Sequence, residues 1–161
     1  MPLVRILVDG YSLLHNWPEL APGKARHSAM AREELIHMLT HYQDAIKTPV
    51  TVIFDGAGAP PGTPKNESTP AVEVLYSPKG KTADDLIERA AHRLSAYGPV
   101  LVVTDDFAER DTVVTFGGMF SSCAGFIQSV EAALTDLQSD VKRYNLAERN
   151  RYNRGRQQSP K

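Results

Sequence analysis

The chain has 161 residues, 42% hydrophobic and 23% charged, with a formal net charge of −1, which is ordinary for one soluble globular domain with a real core. Its single cysteine, Cys123, excludes an internal disulfide framework and any multi-cysteine zinc site. No apolar run approaches the roughly 20 residues of a membrane span, and the N-terminus lacks the order of a signal peptide, so a cytoplasmic protein is expected.

Leu3–Val8 reads as a buried strand running into Asp9-Gly10, with a first loop following through Pro18 and Pro22-Gly23. Ser28 introduces a helix on which Met30, Leu35, Met38, Leu39, Tyr42 and Ile46 recur at helical spacing, and Pro49 ends it. Val50–Phe54 is a second strand of nearly unbroken β-formers. Residues 55–70, "DGAGAPPGTPKNESTP", are too rich in Gly and Pro for a regular element and predict a long functional loop.

Val72–Tyr76 alternates enough to be a strand near a sheet edge, and Thr82 opens a helix whose apolar face holds Leu86, Ile87, Ala90, Ala91, Leu94 and Tyr97. Gly98-Pro99 breaks it before a fourth strand, Val100–Val103, which ends in Thr104-Asp105-Asp106. A shorter helix over roughly 107–115 and a short segment around Met119-Phe120 follow. Ser121 or Ser122 caps a last helix carrying Phe126, Ile127, Val130, Ala133, Leu134 and Leu137; its apolar period fades from Asp140, predicting an end near Leu146. Apolar strands alternating with helices predict an α/β fold with a mainly parallel central sheet covered on both faces.

Charge divides the chain unevenly. Residues 1–138 hold 11 Lys+Arg against 17 Asp+Glu, a balance of −6, whereas residues 139–161 hold 7 against 2, a balance of +5. The expected organisation is a domain over 1–139 and a basic, partly disordered helical extension over 140–161. That extension is either solvated chain or an arm whose arginines, with Tyr144 and Tyr152, grip phosphates and stack on bases.

Four acidic positions share one property. Asp9 follows strand one, Asp55 strand two, Asp105-Asp106 strand four, and Asp84 lies in the first turn of the helix after strand three. In an open parallel sheet these ends line a single crevice. Each has an ordinary local reading: Asp-Gly is turn chemistry, and Thr82-Ala-Asp-Asp85 resembles a capping box that would occupy Asp85 and leave Asp84 free. Four such positions at one end of one sheet favour a metal site. Oxygen-only ligands suit Mg²⁺ or Mn²⁺, and phosphodiester hydrolysis is the chemistry such a site performs. Neither a nucleophilic triad nor a Gly-rich nucleotide cradle is present, so no nucleotide cofactor is expected. His15 is near enough to Asp9 to reach substrate, while His37, His41 and His92 read as residues of solvated helix faces.

The segments "ILVDGYSLL", "AREELIHMLTHY", "VTVIFDG", "VEVLYSPKGKTADDLIERAA" and "VLVVTDD" occur in an order that resembles the YacP-like branch of the NYN domains, which are PIN-like ribonucleases. The resemblance covers about residues 3–130, and "GKTADDLIE" after "VEVLYS" is its most specific element. It implies a three-layer α/β/α PIN-like, Rossmann-like fold and metal-dependent endoribonuclease activity, in some members on mRNA at the ribosome. It assigns the acidic metal-site roles to Asp9, Asp84 and Asp106, with Asp55 a fourth member.

Two positions depart from the family pattern. Ser12 stands where Asn usually follows DGY, and Cys123 where a basic residue commonly follows the two serines. Serine lacks the reach and second group of the amide. Substrate contacts are expected from Ser12, Arg32, Lys81, Arg149 and Arg151, with Lys79 and Arg26 as further phosphate contacts, although Arg32 could simply ion-pair with Glu33 or Glu34 on a helix surface. The leading expectation is a Mg²⁺- or Mn²⁺-dependent endoribonuclease on single-stranded RNA, with RNA and the ribosome as partners and no membrane. A non-cleaving RNA- or ribosome-binding module and a nuclease on DNA flaps are the alternatives.

Overall fold

The structure is a computed structural model that describes residues 2–25, 27–56 and 68–158. Among these, strands β1 (Arg5–Asp9), β2 (Val50–Phe54), β3 (Val72–Tyr76), β4 (Val100–Val103) and β5 (Met119–Ser121) form one sheet. Its order is β3-β2-β1-β4-β5 and every pairing is parallel. The helices are α1 (Gly10–His15), α2 (Ala29–Ile46), α3 (Ala83–Leu94), α4 (Phe107–Thr115) and α5 (Cys123–Gln158).

The unbroken apolar strands are explained by burial on both faces. Ile6, Val8, Val50, Val52, Phe54 and Val103 point to one side, where Leu13, Leu35, Leu39, Phe126 and Val130 of α1, α2 and α5 pack. Leu7, Ile53, Val100 and Val102 point to the other, against Ala83, Ile87 and Ala91 of α3 and Val113 of α4. The expected three-layer α/β/α architecture is therefore the observed one, and β3 lies at an edge as its alternation suggested.

Three local expectations are corrected. The stretch after Asp9 is not loop: Asp9 caps a six-residue helix, its side chain accepting from the Ser12 backbone N–H. Gly10 is required at the first position of that helix because a Cβ there would enter the ring of Phe54. Met30 and Tyr97, placed by periodicity on apolar faces, are 55% and 74% exposed. They sit where the period meets a helix end, Met30 in the first turn of α2 and Tyr97 in a 3₁₀ turn beyond α3. Finally, α5 does not stop near Leu146 but runs unbroken for 36 residues. The apolar stripe fades near Asp140, but the helix continues on exposed residues, where i,i+3 pairing such as Glu148–Arg151 at 2.9 Å supports it. No helix among the described residues is long and apolar enough to cross a membrane.

The topology positions the site. From the central β1 the chain builds outward through β2 to β3, then α3 carries it back past β1 to β4 and β5 on the other side. The carboxyl ends of β1 and β4 thus flank a switch point, where an open α/β sheet leaves a crevice.

Candidate metal centre

A cleft of about 500 Å³ opens at this edge, lined by Asp9, Tyr11, Ser12, His15, Asn16, His27, Asp55, Thr82, Ala83, Asp84 and Asp105. All four strand-end positions therefore reach the cleft, Asp9, Asp55 and Asp84 directly and the Asp105-Asp106 pair through Asp105 rather than Asp106. Asp84 is free to do so for the reason its sequence suggested. The Thr82–Asp85 capping box is complete, with the Asp85 N–H donating to Thr82 Oγ1 at 3.2 Å and the Thr82 N–H to Asp85 Oδ2 at 3.0 Å. The box occupies Asp85 and leaves its neighbour facing inward.

The tightest cluster includes a residue that neither strand-end placement nor the family resemblance singles out. One oxygen each from Asp9, Asp84 and Glu109 lie within 4.8 Å of one another. Glu109 is only 1% exposed, and its carboxylate faces the Asp84 carboxyl and the Thr104 hydroxyl without a close, well-aligned donor among the described residues. Its position, three after the α4 N-cap Asp106, would normally send its side chain back to the Asp106 N–H. Thr104 Oγ1 already accepts from that N–H at 3.1 Å, so Glu109 turns under the cleft instead.

Electrostatics reflect the crowding. Burial, and then the charge of Asp84, push the Glu109 carboxyl up to about 9. Burial raises Asp9 to about 6, opposed by the Ser12 N–H at 3.3 Å and reinforced by Asp84 and Asp55. Asp84 is raised too, chiefly by burial, with Asp106 and Asp85 contributing. Carboxylates held this way repel one another and favour protons unless a cation replaces them. A wholly oxygen donor set, with a buried carboxylate held against two others and no cation beside it among the described residues, fits a hard divalent ion such as Mg²⁺ or Mn²⁺.

The other predicted residues fall in several places. Asp106 stands near Asp84 but outside the cleft lining, and its Oδ1 caps α4 by accepting from the Ala108 and Glu109 N–H groups at 2.9 and 3.4 Å. Asp105 accepts from the Cys123 N–H at 2.9 Å and so fixes the start of α5. Asp55 is approached by the Ser77 hydroxyl at 3.4 Å. Ser12 and His15 both line the cleft, and Lys81 and Lys79 are exposed on the turn before Thr82.

Arg32 is no surface residue, which corrects the helix-surface ion pair. It is 2% exposed, and its Nη1 donates to the His27 carbonyl at 2.7 Å, holding the segment that brings His27 against Tyr11, ring centroids 4.3 Å apart. The signal was present, since Arg32 lies three and four residues before Leu35 and Ile36 on the buried stripe. Arg149 and Arg151 are exposed on the distal part of α5, where Arg151 pairs with Glu148 at 2.9 Å. Arg26 and most of the 55–70 loop lie outside the described residues. Cys123 is a buried thiol at the start of α5, pushed up to about 12 by burial and nearby carboxylates.

The family model of the YacP-like NYN domain matches residues 6–159. The chain belongs to that family. This YacP-like NYN domain is 30% identical over 139 residues to the YacP protein of Bacillus subtilis (strain 168), covering 86% of this chain and 81% of that one. The crystal structure of Rae1 (YacP) from Bacillus subtilis superposes with a TM-score of 0.78 at 28% identity, over 93% of this chain and 85% of the other. Its W164L mutant gives 0.75 at 27% identity, over 89% and 84%. NYN domains are generally nucleases, typically dependent on a divalent metal.

Proposed function

We propose that this YacP-like NYN domain is a Mg²⁺- or Mn²⁺-dependent endoribonuclease that hydrolyses phosphodiester bonds in single-stranded RNA, mRNA in particular. Its place of work is the cytoplasm, on transcripts free or at the ribosome. The observation that carries the reading is the Asp9–Asp84–Glu109 cluster at the head of an open cleft on the carboxyl edge of the sheet. Asp9, Asp84 and Glu109 would hold the metal, with Asp55 and Asp106 beside them. When bound, the ion lowers the pKa of an attacking water and stabilises charge on the scissile phosphate.

The chain's own groups complete the task. The Asp9 carboxylate is fixed by the Ser12 N–H, so the metal-binding oxygen is pre-aimed by the turn that starts α1. Ser12, His15 and Asn16 present polar groups along the same cleft wall, suited to a sugar-phosphate backbone and its 2′-OH. Lys81 on the neighbouring turn, and Arg149 and Arg151 on α5, supply positive charge for flanking phosphates.

The test is cleavage of labelled transcripts, free and ribosome-bound, with and without Mn²⁺. Asp84→Asn is expected to abolish metal-dependent cleavage while circular dichroism and thermal unfolding report an intact fold. Wild-type-like cleavage by that variant would sink the assignment. Saturable Mn²⁺ binding without cleavage of any transcript would favour a non-cleaving RNA-binding module, and preferential cleavage of matched DNA flaps a DNA nuclease.

A further inference from the structure

Helix α2 carries a second arrangement of ligating side chains, on its outer surface. Glu34, His37, His41 and Asp44 are spaced three, four and three residues apart, which sets them along one stripe of an α-helix. All four are exposed. The two imidazoles meet edge to face, centroids 4.5 Å apart and planes at 88°, with their Nε2 atoms 3.1 Å apart. None of the four lines the carboxylate cleft.

Two ring nitrogens at this separation have the bite of a chelate. With metal–nitrogen bonds of about 2.0–2.1 Å, a spacing of 3.1 Å subtends about 98° at a shared ion, between the octahedral and tetrahedral angles. Imidazole nitrogen selects Zn²⁺, Ni²⁺ or Cu²⁺ over Mg²⁺, which prefers oxygen. Glu34 and Asp44, at the two ends of the stripe, add the negative potential that draws a cation to the surface.

We propose that His37 and His41 form a surface site for a borderline divalent transition ion, chemically separate from the oxygen-only cluster at the head of the sheet. Solvent water completes the coordination. The bound ion clips two successive turns of α2, the helix that also carries Arg32. Binding therefore stabilises the folded chain, because the unfolded chain does not hold the two rings together. The site is independent of whether the cleft cleaves RNA.

The experiment is calorimetric titration of the full chain with Ni²⁺ in excess Mg²⁺, which keeps the carboxylate cluster occupied. One Ni²⁺ per chain is expected, with affinity falling about tenfold or more in His37→Ala and in His41→Ala, since each removes one of two protein ligands. Glu34→Gln and Asp44→Asn should weaken it less, and more visibly at low salt. Both histidines are exposed, so these variants should keep the wild-type circular dichroism spectrum and whatever Mn²⁺-dependent cleavage the wild type shows. Unchanged Ni²⁺ affinity in His37→Ala and His41→Ala would overturn the proposal and leave the pair as a hydrogen-bonded contact. So would loss of the ion in His15→Ala alone, which would place it in the cleft.

Discussion

Glu109→Gln separates the stability of the fold from the function of the metal centre. Glu109 is buried against the Asp84 carboxyl and the Thr104 hydroxyl with no cationic partner among the described residues, and burial and Asp84 raise its carboxyl from 4.5 to about 9. In the metal-free fold it is therefore protonated at pH 7, whereas in the unfolded chain it is ionised, so folding must take up a proton. At about 1.36 kcal/mol per pH unit, the cost grows from nothing below pH 4.5 to about 3 kcal/mol at pH 7, and levels off above 9. Glutamine resembles the protonated acid in shape but has no such linkage. In EDTA, urea denaturation should find the two proteins matched near pH 4 and the variant more stable by about 3 kcal/mol at pH 7. Adding Mn²⁺ should reverse the order, because the wild type exchanges its proton for the cation and the variant has lost a ligand. A stability difference that does not change with pH in EDTA, or a variant gaining as much from Mn²⁺ as the wild type, would refute the reasoning.

Three further outcomes follow from the same geometry. Protons compete with the metal at Glu109 and, below about pH 6, at Asp9; Mn²⁺ affinity measured by calorimetry should therefore rise about tenfold per pH unit between 6 and 8, and a flat profile would contradict it. Gly10→Ala forces a methyl into the Phe54 ring and should cost about 1–3 kcal/mol in urea denaturation, with its effect on cleavage following from displacement of Asp9. Removal of residues 140–161, which hold 7 Lys+Arg, should flatten the salt dependence of RNA affinity by about 0.7 in log–log slope for each phosphate the segment had neutralised. An unchanged slope would make that segment solvated chain.

What could be read in advance, and what could not, is clearest in two short segments of equal spacing. Thr82-Ala-Asp-Asp85 and Asp106-Phe-Ala-Glu109 both have a capping residue followed three positions later by an acid. In the first, the box closes and the acid at the third position is used up in local structure, so the free carboxylate is its neighbour Asp84. In the second, the box stays open, because the Thr104 hydroxyl, two residues upstream, has already taken the N–H that Glu109 would have bonded. Helical period and strand-end placement brought Asp9, Asp55 and Asp84 to one crevice without any knowledge of side-chain partners. They did not reach Glu109, because its direction depends on which acceptor satisfies one backbone N–H at the end of β4. The same competition explains Asp106, whose Oδ1 accepts from two N–H groups of the helix it starts. The division of labour at a helix N-terminus is therefore decided by backbone hydrogen bonding before electrostatics. In this chain Glu109, the acid at the third position of α4, faces the cleft where Thr104 has already satisfied the N–H of the cap.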